Sequence, residues 1–145
     1  MNNLIIIAHP NKESFCYSGI YKTILLTLLK KNESVKVLDL YGDDFTRPRT
    51  DLIQSYKEAV TWSNRIYIVS PVWWFRLTPR METFFDEVFT PGFAYNFVPL
   101  TKLYGYPKPL LSDKKVRTYL THGAPALPVQ TLYLNSVKLR LVMGV

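Results

Sequence analysis

Five consecutive apolar residues, Leu4-Ile5-Ile6-Ile7-Ala8, stand almost at the start of the chain. A strand with one face in water alternates apolar and polar side chains, whereas an unbroken run needs cover on both faces. The run therefore predicts a strand inside a parallel sheet. Arg65 to Ser70, centred on Ile66-Tyr67-Ile68-Val69, predicts a second strand of the same kind. Two less apolar strands are expected at Val35–Leu40 and Val116–Thr121.

Helical spacing fills the gaps. Ile20, Ile24 and Leu28 recur at four-residue intervals, as do Tyr21, Leu25 and Leu29. Ser14 is placed to cap that helix. A second helix is expected near residues 51–63, with Leu52, Tyr56, Ala59 and Val60 inward. Thr78-Pro79 opens a third, with threonine as cap and proline at the first position. Its apolar face is Met81, Phe84, Phe85, Val88 and Phe89. Residues 90–113 read as a long connection, broken by Pro91, Gly92, Pro99, Gly105, Pro107 and Pro109. A last helix is expected over Val129–Met143. Strand and helix alternate four times, which predicts an α/β fold: a doubly wound parallel sheet with helices on both faces.

The 145 residues suffice for one domain with a real core and not for two. The net charge is +7, from 18 basic and 11 acidic residues. The lysines and arginines are scattered and form no stripe, so nucleic acid is not the expected partner. The single cysteine, Cys16, has no partner for a disulfide, and no CxxC metal motif exists. No apolar run reaches membrane-spanning length and no signal-peptide pattern precedes Leu4. A cytoplasmic setting without membrane insertion is the expectation.

Three loops carry unusual chemistry, and they follow the first, third and fourth strands. In such sheets ligands bind beyond the carboxyl ends of the strands, where strand order reverses. The first loop, His9-Pro10-Asn11-Lys12-Glu13-Ser14, precedes a helix. Its N–H groups suit a phosphate, with His9 and Ser14 as further donors and Lys12 as a charge; it also reads as an ordinary capped helix start. It matches neither GxxxxGK[ST] nor GxGxxG. The second loop holds Trp73-Trp74-Phe75, three large rings whose faces suit a planar heterocycle or an aromatic contact cluster. The third loop is Thr121-His122-Gly123-Ala124-Pro125. There Gly123 permits close backbone approach, and His122 reads either as a proton or charge-stabilising group or as an exposed turn residue.

Two other chemistries of this architecture are excluded. A phospho-receiver needs paired acids after the first strand and an aspartate at the third, where this chain has His9-Pro10 and Ser70. A phosphatase loop of the cysteine, five residues, arginine type would require arginine where Lys22 follows Cys16.

Ala8-His9-Pro10 with Ser14-Phe15, then Pro71-Val72-Trp73-Trp74, Phe84-Phe85-Asp86-Glu87-Val88-Phe89 and Pro91-Gly92-Phe93-Ala94-Tyr95, resemble the flavodoxin-like NAD(P)H:quinone oxidoreductase family. The resemblance implies a flavin, FMN or FAD, hydride transfer from NAD(P)H, and two-electron reduction of a quinone-like acceptor. It also implies a homodimer with Tyr95 near the dimer contact. His9, Ser14, Phe15 and Cys16 would lie around the flavin phosphate. Pro71, Val72, Trp73, Trp74 and Phe75 would line the ring system, with Thr121, His122 and Gly123 at its pyrimidine edge. His122 and Trp74 are the candidate catalytic residues, and the tyrosine and histidine pair of some family members has no clear counterpart here. A non-catalytic accessory subunit of a membrane transporter is the alternative that the same family implies. Family members continue into a fifth strand, whereas this sequence stops at Val145. The resemblance thus implies strand order 2-1-3-4 in a single domain of residues 1–145, with the C-terminal strand and helix missing or truncated.

Overall fold

The computed structural model describes residues 1–100, 104–131 and 136–144. Four strands make the main sheet: β1 (Asn2–Ile7), β2 (Ser34–Asp39), β3 (Arg65–Val72) and β6 (Lys115–His122). Their order is β2-β1-β3-β6, as the resemblance implies, and all pairs are parallel, as the alternation of elements predicts. Ile7, Val69 and Tyr119 stand in one register line across the sheet; β1 ends there, and β3 and β6 run three residues further, to Val72 and His122.

The unbroken apolar runs are explained by what lies on each side. Leu4, Ile6 and Ala8 point to one face with Ile66 and Ile68, and the helices α2 (Thr50–Trp62) and α3 (Pro79–Val88) close over them with Tyr56, Val60, Met81, Phe84 and Val88. Ile5, Ile7, Tyr67 and Val69 point to the other face. There they meet Cys16, Tyr17, Ile24 and Leu28. That second cover begins as a π-helix, Cys16–Tyr21, and continues as α1 (Lys22–Lys30).

Cover on this second face is incomplete. A groove of about 650 Å³ remains between α1 and the outer sides of β3 and β6. Ile20, Thr23, Thr27, Tyr67 and Tyr119 line it, and Lys31, Arg65 and Arg117 add positive charge.

One expectation about the elements needs correction. Residues 90–113 are not a structureless connection: β4 (Tyr95–Pro99) and β5 (Gly105–Pro109) pair antiparallel as a hairpin. Proline lacks an amide donor and is tolerated in a two-stranded ribbon, where one side of each strand needs no partner. Because of this hairpin the fourth strand of the main sheet is β6. Of the expected last helix, α4 (Ala126–Thr131) and α5 (Ser136–Gly144) are described as helical; its middle lies outside the described residues.

The helix caps also differ. Ser14 and Thr78 make no side-chain cap bond, and the hydroxyls of both are buried without a partner. At the first helix the chain is already helical at Phe15, and the N–H groups of Tyr17 and Ser18 donate to the carbonyl of Ser14 at 3.0 and 2.9 Å. This leaves the serine hydroxyl with no task there. At α3, Pro79 takes the first position as expected, and the carboxylate of Glu82 accepts the N–H of Leu77 at 2.9 Å.

Phe84 is the largest fully buried side chain and touches Tyr56, Phe85 and Phe89 through its ring. Phe84→Ala is expected to cost about 3–5 kcal/mol of unfolding free energy, read as a lowered denaturation midpoint in urea.

Candidate functional site

The site is built at the carboxyl edge of the sheet. Parallel strands deliver all their following loops to one edge, so β1, β3 and β6 bring three loops together. Contacts between these loops are direct. The His9 ring meets the Trp73 ring edge-on with centroids 5.6 Å apart. The Cys16 thiol lies 3.4 Å from the Thr121 hydroxyl. Pro71 pairs with Thr121 and Val72 with His122 in the β3–β6 register. His9, Cys16, Pro71, Val72, Trp73, Thr121 and His122 are therefore gathered at one place.

The first loop holds its shape through its own polar atoms. His9 Nδ1 accepts the N–H of Asn11 at 3.0 Å, and the Asn11 side chain accepts the N–H of Glu13 at 2.8 Å. Ser14 follows, and its hydroxyl is shut away from water with no hydrogen-bond partner. An unmet buried hydroxyl costs about 1–3 kcal/mol, which an arriving acceptor would recover.

Phe15 goes elsewhere. Its ring lies across Gly19, where even a Cβ would sit 2.3 Å from it, and it lines the near end of the α1 groove. Gly19 thus makes room for the ring, which turns toward the outer groove.

The second loop is a tight reversal. Trp73 and Arg76 exchange both backbone hydrogen bonds, at 2.9 and 3.0 Å. Trp74 and Phe75 lie between them with φ of 48° and 61°. Two left-handed central residues between a bonded pair define a two-residue reversal of the type I′ kind, which prefers Asn-Gly. Aromatic residues in that conformation cost of order 1–3 kcal/mol each. The turn holds the Trp74 side chain 92% exposed, while Trp73 and Phe75 remain partly covered. Strain and an exposed indole at the mouth of a convergent site mark a surface shaped for something other than folding.

The third loop is open. His122 and Gly123 are exposed, and a Cβ at Gly123 would meet nothing within 4 Å. Among the described residues, no close contact therefore requires glycine there.

A polar cluster that sequence reading misses stands beside the first loop. Asp39, the last residue of β2, accepts the Tyr17 hydroxyl at 2.5 Å and pairs with the Lys12 ammonium. The N–H groups of Tyr41 and Gly42 also donate to it, at 3.3 and 3.1 Å. Burial pushes the Asp39 carboxyl up, but hydrogen bonds from Lys12 and Tyr17 and the charge of Lys12 outweigh it, leaving the group below its ordinary range. Burial, then the bond to Asp39, pushes the Tyr17 hydroxyl well above its ordinary value, so it stays a donor. The available signal was an aspartate at the end of a strand that leads to the ligand edge.

Against known proteins, the sequence profile described as flavodoxin-like fold matches residues 1–137. The chain belongs to the flavodoxin-like fold family. Among curated members it is 30% identical to the uncharacterized NAD(P)H oxidoreductase YdeQ of Bacillus subtilis, over 66% of this chain and 45% of that protein. It is 26% identical to NAD(P)H dehydrogenase [quinone] 1 of Cavia porcellus, over 83% of this chain and 52% of that one. This flavodoxin-like chain spans about half the length of the curated relatives it matches. Its fold superposes on an FMN-dependent NADH-azoreductase from Bacillus anthracis solved with FMN, at a TM-score of 0.69. There the identity is 16%, with 99% of this chain and 80% of that one covered. Among the described residues no helix is long and apolar enough to cross a membrane.

Replacing Trp74-Phe75 by Asn-Gly is expected to raise the unfolding free energy by about 1–3 kcal/mol, measured by urea denaturation. An unchanged or lower value would mean that the turn is not strained.

Proposed function

We propose that the convergent edge holds a flavin and that the protein is an NAD(P)H-dependent oxidoreductase acting on quinone-like acceptors. The observation that carries this reading is the Ser14 hydroxyl, buried and unpartnered at the end of the first loop. It lies where the chain enters a helix, so it and the backbone donors of the first turn suit a phosphate. The donor set fits the flavin's phosphate arm: a ring N–H of His9, the Ser14 hydroxyl and amide N–H groups, all hydrogen-bond donors. Flavodoxin-like relatives named NAD(P)H oxidoreductase and NAD(P)H dehydrogenase [quinone], and the FMN-bound structural neighbour, support the same reading.

A bound flavin would supply hydride acceptance from NAD(P)H and two-electron donation to the acceptor. The chain's own residues bind and orient it. Pro71, Val72 and Trp73 form the wall nearest β3, and the exposed faces of Trp74 and Phe75 would shape the slot that nicotinamide and acceptor enter in turn. Thr121, His122 and Gly123 would form the adjoining wall, beside Pro71 and Val72. Backbone N–H groups there would stabilise negative charge at the pyrimidine edge, and His122 is placed to hold a proton beside it. Cys16 is a small buried residue tying the first loop to Thr121 and has no nucleophilic role in this reading. The assembly is read as a homodimer, with the exposed aromatics Phe97, Tyr104 and Tyr106 on and beside the hairpin as its contact. Residues 1–145 act as one flavin-holding domain in the cytoplasm, where a lone thiol stays reduced.

The test is made on purified protein. It is expected to bind FMN or FAD as a yellow complex that bleaches anaerobically with NADPH or NADH and recovers its colour with a quinone. Ser14→Ala is expected to weaken FMN binding about tenfold, the ~1.4 kcal/mol of one hydrogen bond to a charged group, while the apoprotein's thermal midpoint rises because an unmet buried hydroxyl is gone. A protein that takes up no added flavin would end this reading.

A further inference from the structure

Asp39 gathers more donors than any other carboxylate among the described residues: the Lys12 ammonium, the Tyr17 hydroxyl, and the N–H groups of Tyr41 and Gly42. Two of these donors bracket Ser14 in sequence. Lys12 lies in the loop before it, and Tyr17 lies in the first helical turn after it. The bracket is closed on itself as well. Lys12 Nζ donates to the Tyr17 hydroxyl at 2.7 Å and stands 4.5 Å from the centre of the Tyr17 ring. Both tethers end on the tip of β2, a strand whose carboxyl end is fixed by pairing Asp39 to Ile7 of β1. The loop carrying the unpartnered Ser14 hydroxyl is thus fastened on each side to one rigid carboxylate.

We propose that Asp39 is a positioning residue for the flavin phosphate, holding the first loop through Lys12 and Tyr17 so that its uncharged donors converge on that group. This rests on the flavin reading given above. Lys12 is the nearest cation in the loop, yet its charge is engaged by Asp39 and not offered to the phosphate. A carboxylate near a bound dianion repels it, so Coulomb forces alone predict that removing Asp39 would tighten binding. Positioning predicts the opposite sign, which makes the two accounts separable.

The experiment titrates apoprotein with FMN and with riboflavin, which lacks the phosphate, by quenching of flavin fluorescence. With Asp39→Asn, the affinity for FMN is expected to fall at least tenfold while that for riboflavin stays within twofold. Lys12→Met is expected to give the same split, and Lys12→Arg to restore FMN binding to within threefold of the wild type. Tighter FMN binding by Asp39→Asn would overturn the proposal and make Lys12 a phosphate ligand that Asp39 restrains. An equal fall for both flavins would overturn it in favour of a general structural role, and unchanged FMN affinity would overturn it outright. Should Asp39→Asn fail to fold, Tyr17→Phe decides on the same criteria, because it removes one tether to Asp39 and leaves every charge in place. A wild-type protein that binds both flavins equally refutes the phosphate subsite alone. One that binds neither refutes the functional reading together with this inference.

Discussion

Two strands buried on both faces govern this structure. Each of β1 and β3 sends alternate side chains into separate cores, so neither tolerates a polar residue across most of its length. Strands of that kind pair in parallel and need helical cover, because a parallel neighbour is reached only by a crossover. Parallel pairing has a geometric corollary. Every loop that leaves a carboxyl end emerges on the same side of the molecule. The contacts of His9 with Trp73 and of Cys16 with Thr121 follow from that requirement, although the residues in each pair are far apart in the chain.

What the sequence made legible was therefore whatever rests on periodicity. The runs at Leu4–Ala8 and Ile66–Val69 announce their own burial, and the alternation of elements announces a parallel sheet; its strand order came from the family resemblance. Features that rest on pairing between distant or irregular segments were hidden. The β4–β5 hairpin was obscured by its prolines, which normally break strands but are harmless in an exposed two-stranded ribbon. The hydroxyls of Ser14 and Thr78 match the chemistry of helix caps, yet neither makes the bond, and nothing in composition separates a cap from a hydroxyl left over. The left-handed turn at Trp74-Phe75 was invisible because local preference argues against it. Asp39 drew no notice because its partners, Lys12 and Tyr17, lie in a different part of the sequence.

These hidden features share a location. The unmet hydroxyls of Ser14 and Thr78, the strained turn and the solvent-facing indole lie in or next to the loops at the carboxyl edge; inside the sheet, Asn3 of β1 also buries a side-chain oxygen without a partner. Sequences satisfy local and global preferences together where folding is all that matters, and departures concentrate where it is not. The sheet supplies stability that the loops draw down, and the strained turn persists because Val72 and Leu77 anchor it on either side within the first core.

The three walls of the site do not share one rigidity. β1 lies between β2 and β3, but β6 is paired along one side only among the described residues, and its outer surface borders the half-covered groove. Local opening begins where few apolar contacts and solvent-exposed amides coincide. Amide hydrogens of β6 should therefore exchange with solvent well before those of β1, and the wall formed by Thr121 to Gly123 inherits that looseness. The pocket breathes from one side, and whatever settles into it firms up the strand that the fold itself holds least tightly.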